Sequence, residues 1–285
     1  MPSHLERTTF GRLAYRMLGS VADAEDVVQE AKLRLLKQDP APDHEEAFLF
    51  RVVTNLALDR LRQQQRQRRR YLGPWLPEPL PTEIAGAEDL AELAEELSLG
   101  FVLMLERLSP AERVVFVLRE GFDYSFDEIG NLIGVSAPAC RQRFRRARAN
   151  LRDEQRKPTP AAEQRDLLDR LILAIAEDDL VGLVKMFSED TVVLSDGGGV
   201  VSAAIRPVTG PQRIAQVLMH LSRNAAREAA LTYEFVELNG GIGLLIRTEG
   251  SLHSCIQLEG ANDMVTRLYI SRNPSKLAHL LTEAG

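Results

Sequence analysis

The chain of 285 residues has only two cysteines, five histidines and one tryptophan. Cys140 and Cys255 cannot form the disulfide framework of a small secreted protein, and Cys140 is expected to be a small core residue. Neither a signal peptide nor an apolar run of membrane-spanning length is found, so we expect a cytoplasmic protein without a membrane partner. His253 and Cys255 would share one strand face, but two ligands are a weak metal signal. Neither a metal nor a cofactor is therefore expected.

The chain also has no excess of basic residues, since it contains 35 Lys and Arg but 41 Asp and Glu, which gives a net charge of −6. The whole molecule is therefore not a basic nucleic-acid binder. Its charge is segregated along the sequence: arginines are concentrated in residues 60–70 and 141–157, whereas residues 73–100 contain acidic residues and no Lys or Arg. Salt limits the reach of charge to about 8–10 Å, so these local blocks matter more than the sum.

Residues 126–151 predict two helices joined by a tight turn. Gly134 can take the positive φ that ends the first helix, Ser136 is a good N-cap for the second, and Pro138 suits its first turn. Apolar residues at i, i+3 and i+7 give the second helix a buried stripe. The stripe consists of Phe144, Ala147 and Leu151. This pattern is typical of a helix-turn-helix that enters the DNA major groove.

The exposed face of this second helix is crowded with arginine. Arg pairs bidentately with guanine and Gln with adenine, and both also hold phosphates. The alternative is an amphipathic helix whose basic face is only solvated. We expect DNA contacts from Ser136, Arg141, Gln142, Arg145 and Arg146.

Residues 5–70 also predict helices. Within them, Asp23, Asp26 and Glu30 recur at i, i+3 and i+7 and form an acidic face. A long helix is expected from Glu45 into the arginine block. Its inner face would hold Phe48, Val52 and Leu56, and its outer face Asn55, Asp59 and Arg62.

The second half of the chain has a different pattern. Prolines recur throughout residues 71–87, which predicts a linker. Trp75 lies in this linker, and we expect its large apolar ring to pack against another surface. After a break near 157–160, helices are expected near 161–178, 179–188 and 211–225. Short strand-like runs accompany them and suggest a curled antiparallel sheet with helices on one side, an α+β domain that can close over a pocket. The runs are Thr191–Asp196, Val200–Ile205, Leu231–Leu238, Ile242–Arg247, Leu252–Leu258 and Met264–Ile270.

Taken together, these segments resemble a bacterial RNA polymerase sigma factor of the extracytoplasmic-function (ECF) type. Residues 23–30 look like the region 2 helix that docks on the β′ clamp, and residues 47–62 like the helix that recognises the −10 element. Residues 108–119 and the helix-turn-helix look like region 4, which reads the −35 element. The resemblance implies core RNA polymerase (β′ clamp and β flap) and promoter DNA as partners. The implied site residues are Asn55, Asp59, Arg60 and Arg62 for the −10 element, and Asp23, Asp26, Gln29 and Glu30 for polymerase.

The C-terminal part resembles a SnoaL-like domain, which in one ECF subgroup is fused to the sigma regions. Three motifs of that subgroup are matched here: Trp75-Leu76-Pro77-Glu78-Pro79, Asp196-Gly197-Gly198-Gly199 and Asn273-Pro274-Ser275-Lys276-Leu277. Val200 and Ser275 stand where the subgroup has a basic and an acidic residue. The resemblance implies that these motifs are regulatory contacts between domains.

The implied architecture is multidomain, with two all-α sigma domains and an α+β SnoaL-like cone. Region 2 would span residues 1–72, an acidic Pro-rich linker 73–94, region 4 residues 95–156 and the cone 161–285. A sigma factor does no covalent chemistry, so we expect no enzyme and no catalytic residue. A SnoaL-like enzyme is the alternative, with Asp196 or His253 as its base. A small ligand in the cone is a third interpretation, although no convergent polar set in the sequence identifies one.

Simpler structural interpretations stay open for three segments. The Asp196–Gly199 motif can be a plain turn, and residues 66–70 a solvated helix end. Trp75 can pack locally against neighbouring prolines. As regulatory contacts, the three motifs would hold the two DNA-reading domains in one relative placement. The free chain could then be compact and the polymerase-bound chain extended, a population shift that needs only a few kcal/mol.

Overall fold

The computed structural model describes residues 5, 8–68, 70–82, 94, 96–152, 158–228 and 230–281. The chain divides into two compact units. We call Pro2–Arg70 with Gly100–Arg156 the helical unit, and Tyr71–Leu99 with Lys157–Gly285 the cone unit. The predicted acidic residues Glu83, Glu88, Asp89, Glu92 and Glu95, as well as Arg69 and Lys157, lie outside the described residues.

The helical unit contains seven described helices, and small polar residues begin most of them. Thr8, Ser20, Ser109 and Ser125 each accept a backbone N–H at an N-cap, which satisfies a donor that the helix start leaves unpaired. The helices are α1 (Thr9–Leu18), α2 (Val21–Leu36), α3 (Glu45–Arg68), α4 (Leu99–Leu105), α5 (Pro110–Gly121), α6 (Phe126–Ile133) and α7 (Ala137–Leu151).

Helices α1, α2 and α3 pack on one another, and α5, α6 and α7 form a second group. Both groups belong to one compact unit because α3 also packs on α5 and α6. The buried side of α3 carries Phe50, Val53, Ala57 and Leu61. Phe48, Val52 and Leu56, the predicted inner face, are instead only half-buried. The predicted inner face was therefore wrong by part of a helical turn. Helix α3 packs on α5 and α6 as well as on α1 and α2, so its apolar stripe is wider than a single helix contact requires.

The cone unit is a six-stranded curved sheet with its longer helices packed on one face. Leu277 and Leu280 of the C-terminal segment pack with Leu245 and Cys255 on the other face. The strand order is β2-β1-β6-β5-β4-β3, and all neighbours are antiparallel except β1 and β6, which run parallel. The expected α+β architecture is confirmed, with this one parallel pair as an addition. The elements are α8 (Ala161–Ala176), α9 (Leu180–Lys185), β1 (Phe187–Asp196), β2 (Val208–Thr209), α10 (Pro211–Glu228), β3 (Leu231–Leu238), β4 (Gly241–Thr248), β5 (Ser251–Ala261), β6 (Met264–Ser271) and α11 (Pro274–Leu277).

One expected strand is absent from the described structure: residues 200–205 form a loop. Val200 and Val201 both donate their backbone N–H to Gly197 O, which closes a turn where a strand would need ladder bonds. Val200 and Ile205 are exposed, so the β-branched residues that suggested a strand have no sheet to pack on. The second helix of this domain also ends earlier than expected, at Lys185, because β1 begins at Phe187.

Within the described ranges, no helix is long and apolar enough to cross a membrane. The same part of the chain holds no group of three His, Cys, Asp or Glu placed to bind a metal ion.

Candidate functional sites

The turn between α6 and α7 has the geometry of a tight helix-turn-helix. Gly134 ends α6 with a φ of 71°. A Cβ on Gly130 would lie 2.4 Å from Val135 O, so the chain can turn this closely only over a glycine. Ser136 occupies the N-cap of α7, as predicted, but its hydroxyl makes no capping hydrogen bond. The second helix therefore starts where the sequence predicted, with an exposed serine at its N-terminus.

Helix α7 separates a buried from an exposed face. Cys140, Ala147 and Leu151 are fully buried, which confirms Cys140 as a core residue, and Phe144 is half-buried against the Phe116 and Phe126 rings. The predicted DNA-contacting side chains all lie on exposed positions of the helix or its N-cap: Ser136, Arg141, Gln142, Arg145 and Arg146. Such a face, basic and supported by packed aromatics, suits phosphate and base-edge contacts.

The outer face of α3 presents Asn55, Asp59 and Arg62 as predicted, all exposed. The Arg62 guanidinium lies 2.9 Å from Asp59, one turn away. The Asn55 amide donates to Leu132 O of α6, across 3.3 Å. The predicted −10 face therefore touches the first helix of the helix-turn-helix within the helical unit.

Arg60 and Asp23, assigned above to different partners, bind each other. Arg60 Nε donates to Asp23 Oδ1 over 2.8 Å, and Gln64 donates to the other carboxylate oxygen over 2.5 Å. This ion pair raises the pKa of Arg60. Asp23 is mostly buried, whereas Asp26, Gln29 and Glu30 are exposed on α2. The side chains that this face of α2 offers to a partner are thus Asp26, Gln29 and Glu30.

Aromatic and buried charged residues join α1 and α3 to α5 and the loops that flank α5. Phe50 of α3 stacks on Tyr124 with ring centroids 4.7 Å apart and meets Phe122 edge-on at 5.5 Å. Arg113, which is almost inaccessible, donates to Arg16 O over 2.9 Å and pairs with Glu106. Desolvation lowers the pKa of Arg113 to about 9. Sequence patterns missed these residues because helical periodicity identifies a buried face without identifying the helix that covers it.

In the cone unit, one carboxylate joins the three motifs that the sequence singled out. Asp196, at the end of β1, has a side chain with no exposed area. It accepts from Tyr71 Oη at 2.6 Å, from the Leu76 backbone N–H at 2.9 Å and from Gly198 N at 3.0 Å. Lys276 Nζ lies 2.7 Å from the same carboxylate. We call Asp196, Tyr71, Leu76, Asn273 and Lys276 the Asp196 cluster.

Lys276 connects the tail motif to the linker. Its ammonium group donates to Leu76 O and lies 4.0 Å from the centroid of the Trp75 ring, a cation–π contact. Trp75 thus has a docking partner beyond its neighbouring prolines. Leu76, Pro77 and Pro79 are buried, and Trp75 and Glu78 are half-buried.

Asn273 and the glycine run fit together closely. The Asn273 amide donates to Tyr71 Oη at 3.0 Å, while its carbonyl oxygen accepts from Ser275 and begins α11 at Pro274. A Cβ on Gly198 would lie 2.4 Å from Asn273 Nδ2, and Gly198 has a φ of 66°. One on Gly199 would lie 3.4 Å from Leu72. Gly198 is therefore needed for close approach as well as for its positive φ, whereas Gly199 is needed only for its φ of 72°. Leu277 of the tail motif is buried.

A second anchor holds the far end of the linker. Asn239 exchanges hydrogen bonds with Leu80: its side chain accepts from Leu80 N at 3.0 Å, and its N–H donates to Leu80 O at 2.7 Å. Pro81 bridges to Leu238, so the linker extends the edge of the sheet. The sequence patterns did not single out Asn239, because its burial and its partners are set by the tertiary structure.

The sheet and its helices enclose a cavity of about 290 Å³. Most of its wall is aliphatic, and Arg272 and His253 lie side by side on one part of it, with Nη2 and Nε2 2.9 Å apart. The prediction that His253 and Cys255 share a strand face was wrong. The β4–β5 register shifts at His253, so a bulge turns it toward the cavity while Cys255 packs against Leu238 and Leu245.

Asp196 is not among the residues that line this cavity. The two catalytic candidates of the enzyme interpretation are therefore placed apart: His253 borders the cavity, and Asp196 is engaged by the linker and Lys276.

Comparison with known proteins agrees with this arrangement. The chain matches Sigma-70 region 2 over residues 8–67 and Sigma-70, region 4 over residues 98–151, which defines a sigma factor. It is 35% identical to the ECF RNA polymerase sigma factor SigJ of Mycobacterium tuberculosis over 81% of this chain and 75% of that one. It is also 30% identical to the probable ECF sigma factor SigI of the same species, over 96% and 92%. The SigJ crystal structure matches with a TM-score of 0.75 and 28% identity, over 96% of both chains.

The chain therefore belongs to the ECF RNA polymerase sigma factors, as its sequence motifs indicated. It is an alternative sigma factor with a fused SnoaL-like C-terminal domain, and it acts with core RNA polymerase at promoter DNA.

Proposed function

We propose that the SnoaL-like domain controls promoter recognition in cis by holding the linker that joins region 2 to region 4. The observation that carries this proposal is the Asp196 cluster, in which one buried carboxylate binds linker, glycine turn and tail together. In the sigma family this linker runs through the interior channel of polymerase. A linker docked on the cone is not free to follow that path, so its release should accompany holoenzyme formation.

Promoter recognition is assigned to the residues predicted from the sequence. Arg141, Gln142, Arg145 and Arg146 of α7, with Ser136 at its start, read the −35 element as part of region 4. Asn55, Asp59, Arg60 and Arg62 of α3 act on the −10 element. Their exposure supports this assignment for all but Arg60, which would first have to leave Asp23.

Polymerase binding is assigned to the exposed side chains of α2, namely Asp26, Gln29 and Glu30, on the β′ clamp, with region 4 on the β flap. Asp23 then has a structural role, because it orients Arg60 and Gln64 on α3. Since polymerase and chromosome share the cytoplasm, the chain would act there.

A SnoaL-like enzymatic activity is the weaker candidate. A general base must reach the proton that it removes, and Asp196 is committed to the linker contacts instead. The similar proteins reported above are sigma factors by name.

The test is run-off transcription with core polymerase, comparing the full chain with variants of the cluster. Lys276→Met removes the ion pair and both contacts to the linker, so promoter-specific initiation should rise severalfold. Deletion of the residues after Asn273 should act in the same direction. Lys185→Met, which removes a lysine at the end of α9, is the matched control. Unchanged initiation by both cluster variants, with the fold intact, would reject regulation through the linker.

A further inference from the structure

We propose that the cavity of the cone unit is a binding site for a small amphipathic carboxylate, and that its occupancy changes how firmly the linker docks. Ligand binding in the cavity goes beyond the proposed function, whereas the effect of that binding on linker docking rests on it. Two features carry the inference: the chemistry of the cavity wall and the position of Arg272 between cavity and linker.

The cavity offers one charged group and a large apolar surface. Leucine and isoleucine from α8, α10 and four strands make most of the wall, with Tyr233 beside them. Arg272 is the one charged side chain among the described lining residues, none of which carries a carboxylate. An apolar site with a few convergent polar groups is the usual form of a small-molecule pocket. Here the charge favours an anion, because a guanidinium pairs with a carboxylate bidentately.

Three of the polar lining residues lie around Arg272. Its Nη1 donates to Ser202 O, and its Nη2 lies 2.9 Å from His253 Nε2. His253 Nδ1 in turn lies 3.3 Å from Ser254 Oγ. Ser202, His253 and Ser254 all line the cavity. They keep the guanidinium at the wall and offer further donors to a bound carboxylate.

The volume limits the length of the ligand. About 290 Å³ equals the liquid volume of about ten water molecules. That space suits a carboxylic acid with a single alkyl chain of roughly eight carbons.

Arg272 also belongs to the segment that holds the linker. Its backbone N–H and that of Asn273 both donate to Asp196 O, at 2.7 and 3.0 Å. The adjacent side chain of Asn273 holds Tyr71, and the loop that carries Ser202 begins at the glycine turn of the Asp196 cluster. A ligand that draws the guanidinium from Ser202 O therefore acts on two segments that contact the linker. Linker docking and ligand binding would then be coupled, and the coupling is reciprocal.

Octanoate is the probe, with octan-1-ol and octylammonium as uncharged and cationic counterparts. Titration calorimetry on the full chain measures affinity. Emission of Trp75, the one tryptophan of the chain, reports the linker, since its ring lies on Lys276 and does not line the cavity. Octanoate should bind saturably and shift the Trp75 emission. Octan-1-ol should bind at least about tenfold more weakly, the ratio expected of a charge-assisted contact.

Variants locate the site. Arg272→Gln should weaken octanoate binding about tenfold, Arg272→Lys should retain most of it, and the exposed Arg206→Gln should leave it unchanged. Equal affinity for octanoate and octan-1-ol would overturn the anion assignment, and no saturable binding would overturn the site. Binding without a Trp75 response would overturn the coupling. The calorimetric result does not depend on transcription, so it separates failure of this site from failure of regulation through the linker.

Discussion

Asp196 combines two properties that rarely occur together in one residue: it is fully buried, and it is charged. The cost of removing a carboxylate from water is offset by the ion pair with Lys276 and by donors from Tyr71, Leu76 and Gly198. Removing either partner of such a pair leaves the other charge buried and uncompensated. The end of the linker at Leu76 therefore depends on one pair of residues far apart in sequence.

The first prediction follows from that dependence. Asp196→Asn should destabilise the cone unit by about 3–5 kcal/mol, because Lys276 would remain buried without its counter-ion. The double variant Asp196→Asn with Lys276→Met should recover part of the loss, since both charges are then gone. Urea denaturation followed by Trp75 emission measures the difference. A single variant as stable as the parent chain would contradict the ion-pair account.

A second residue-scale prediction concerns pH. Burial raises the pKa of the Cys255 thiol far above its usual range. The native state thus holds this proton more tightly than the unfolded state does. Stability from this group is complete below the unfolded thiol pKa of about 8.5 and is lost as pH rises above it, with a slope of at most about 1.4 kcal/mol per pH unit.

The measurement is urea unfolding under reducing conditions at neutral and alkaline pH. The parent chain should lose more stability between the two than Cys255→Ala does. Burial also raises the pKa values of Tyr124 and Tyr233, so the variant should retain some alkaline loss. Identical pH slopes for the two chains would show that the thiol does not contribute.

At the scale of elements, α7 carries the third prediction. Arg145 is exposed on the basic face, so Arg145→Ala should weaken holoenzyme binding to a selected promoter by about 1–3 kcal/mol if it reads a base. Discrimination at one −35 position should relax at the same time. Competition binding at fixed salt measures both. Arg165→Ala removes an exposed arginine from α8 and serves as the control. If Arg145→Ala weakens binding equally for all promoter sequences, Arg145 contacts a phosphate and does not read a base.

How far the sequence determines these elements differs between the two units. The helix-turn-helix was predictable because Gly134, Ser136 and Pro138 encode its turn locally. The loop at residues 200–205 was not, since Val200 and Ile205 are strand formers, yet hydrogen bonds from Val200 and Val201 to Gly197 O close a turn there. The bulge at His253 was not predictable either, because the register of a strand is set by its partner strands.

The candidate sites divide in a similar way. The three motifs could be named from the sequence through a resemblance. Their convergence on one carboxylate depends on tertiary contacts, which the spacing of the motifs does not reveal. Tyr71 and Asn239 were missed because a single polar residue near a linker or a turn has no pattern of its own.

At the scale of the molecule, the helical unit has regions 2 and 4 in contact. Asn55 donates to Leu132 O, and Phe50 stacks on Tyr124, so one predicted −10 residue is in contact with the helix-turn-helix. Both regions must engage separate promoter elements in the holoenzyme, which favours a closed free form and an open bound form.

Tyr124→Ala should shift this balance toward the open form. Loss of the stack with Phe50 at 4.7 Å removes an aromatic contact, and such pairs contribute about 0.5–1.5 kcal/mol beyond their buried area, a shift of roughly twofold to tenfold in the equilibrium. Run-off transcription at limiting core polymerase should therefore increase within that range. Tyr124→Phe keeps the ring and should behave like the parent chain. If Tyr124→Ala folds normally and initiation stays level or falls, the contact between regions 2 and 4 is not what restrains promoter recognition, and the linker alone would have to account for it.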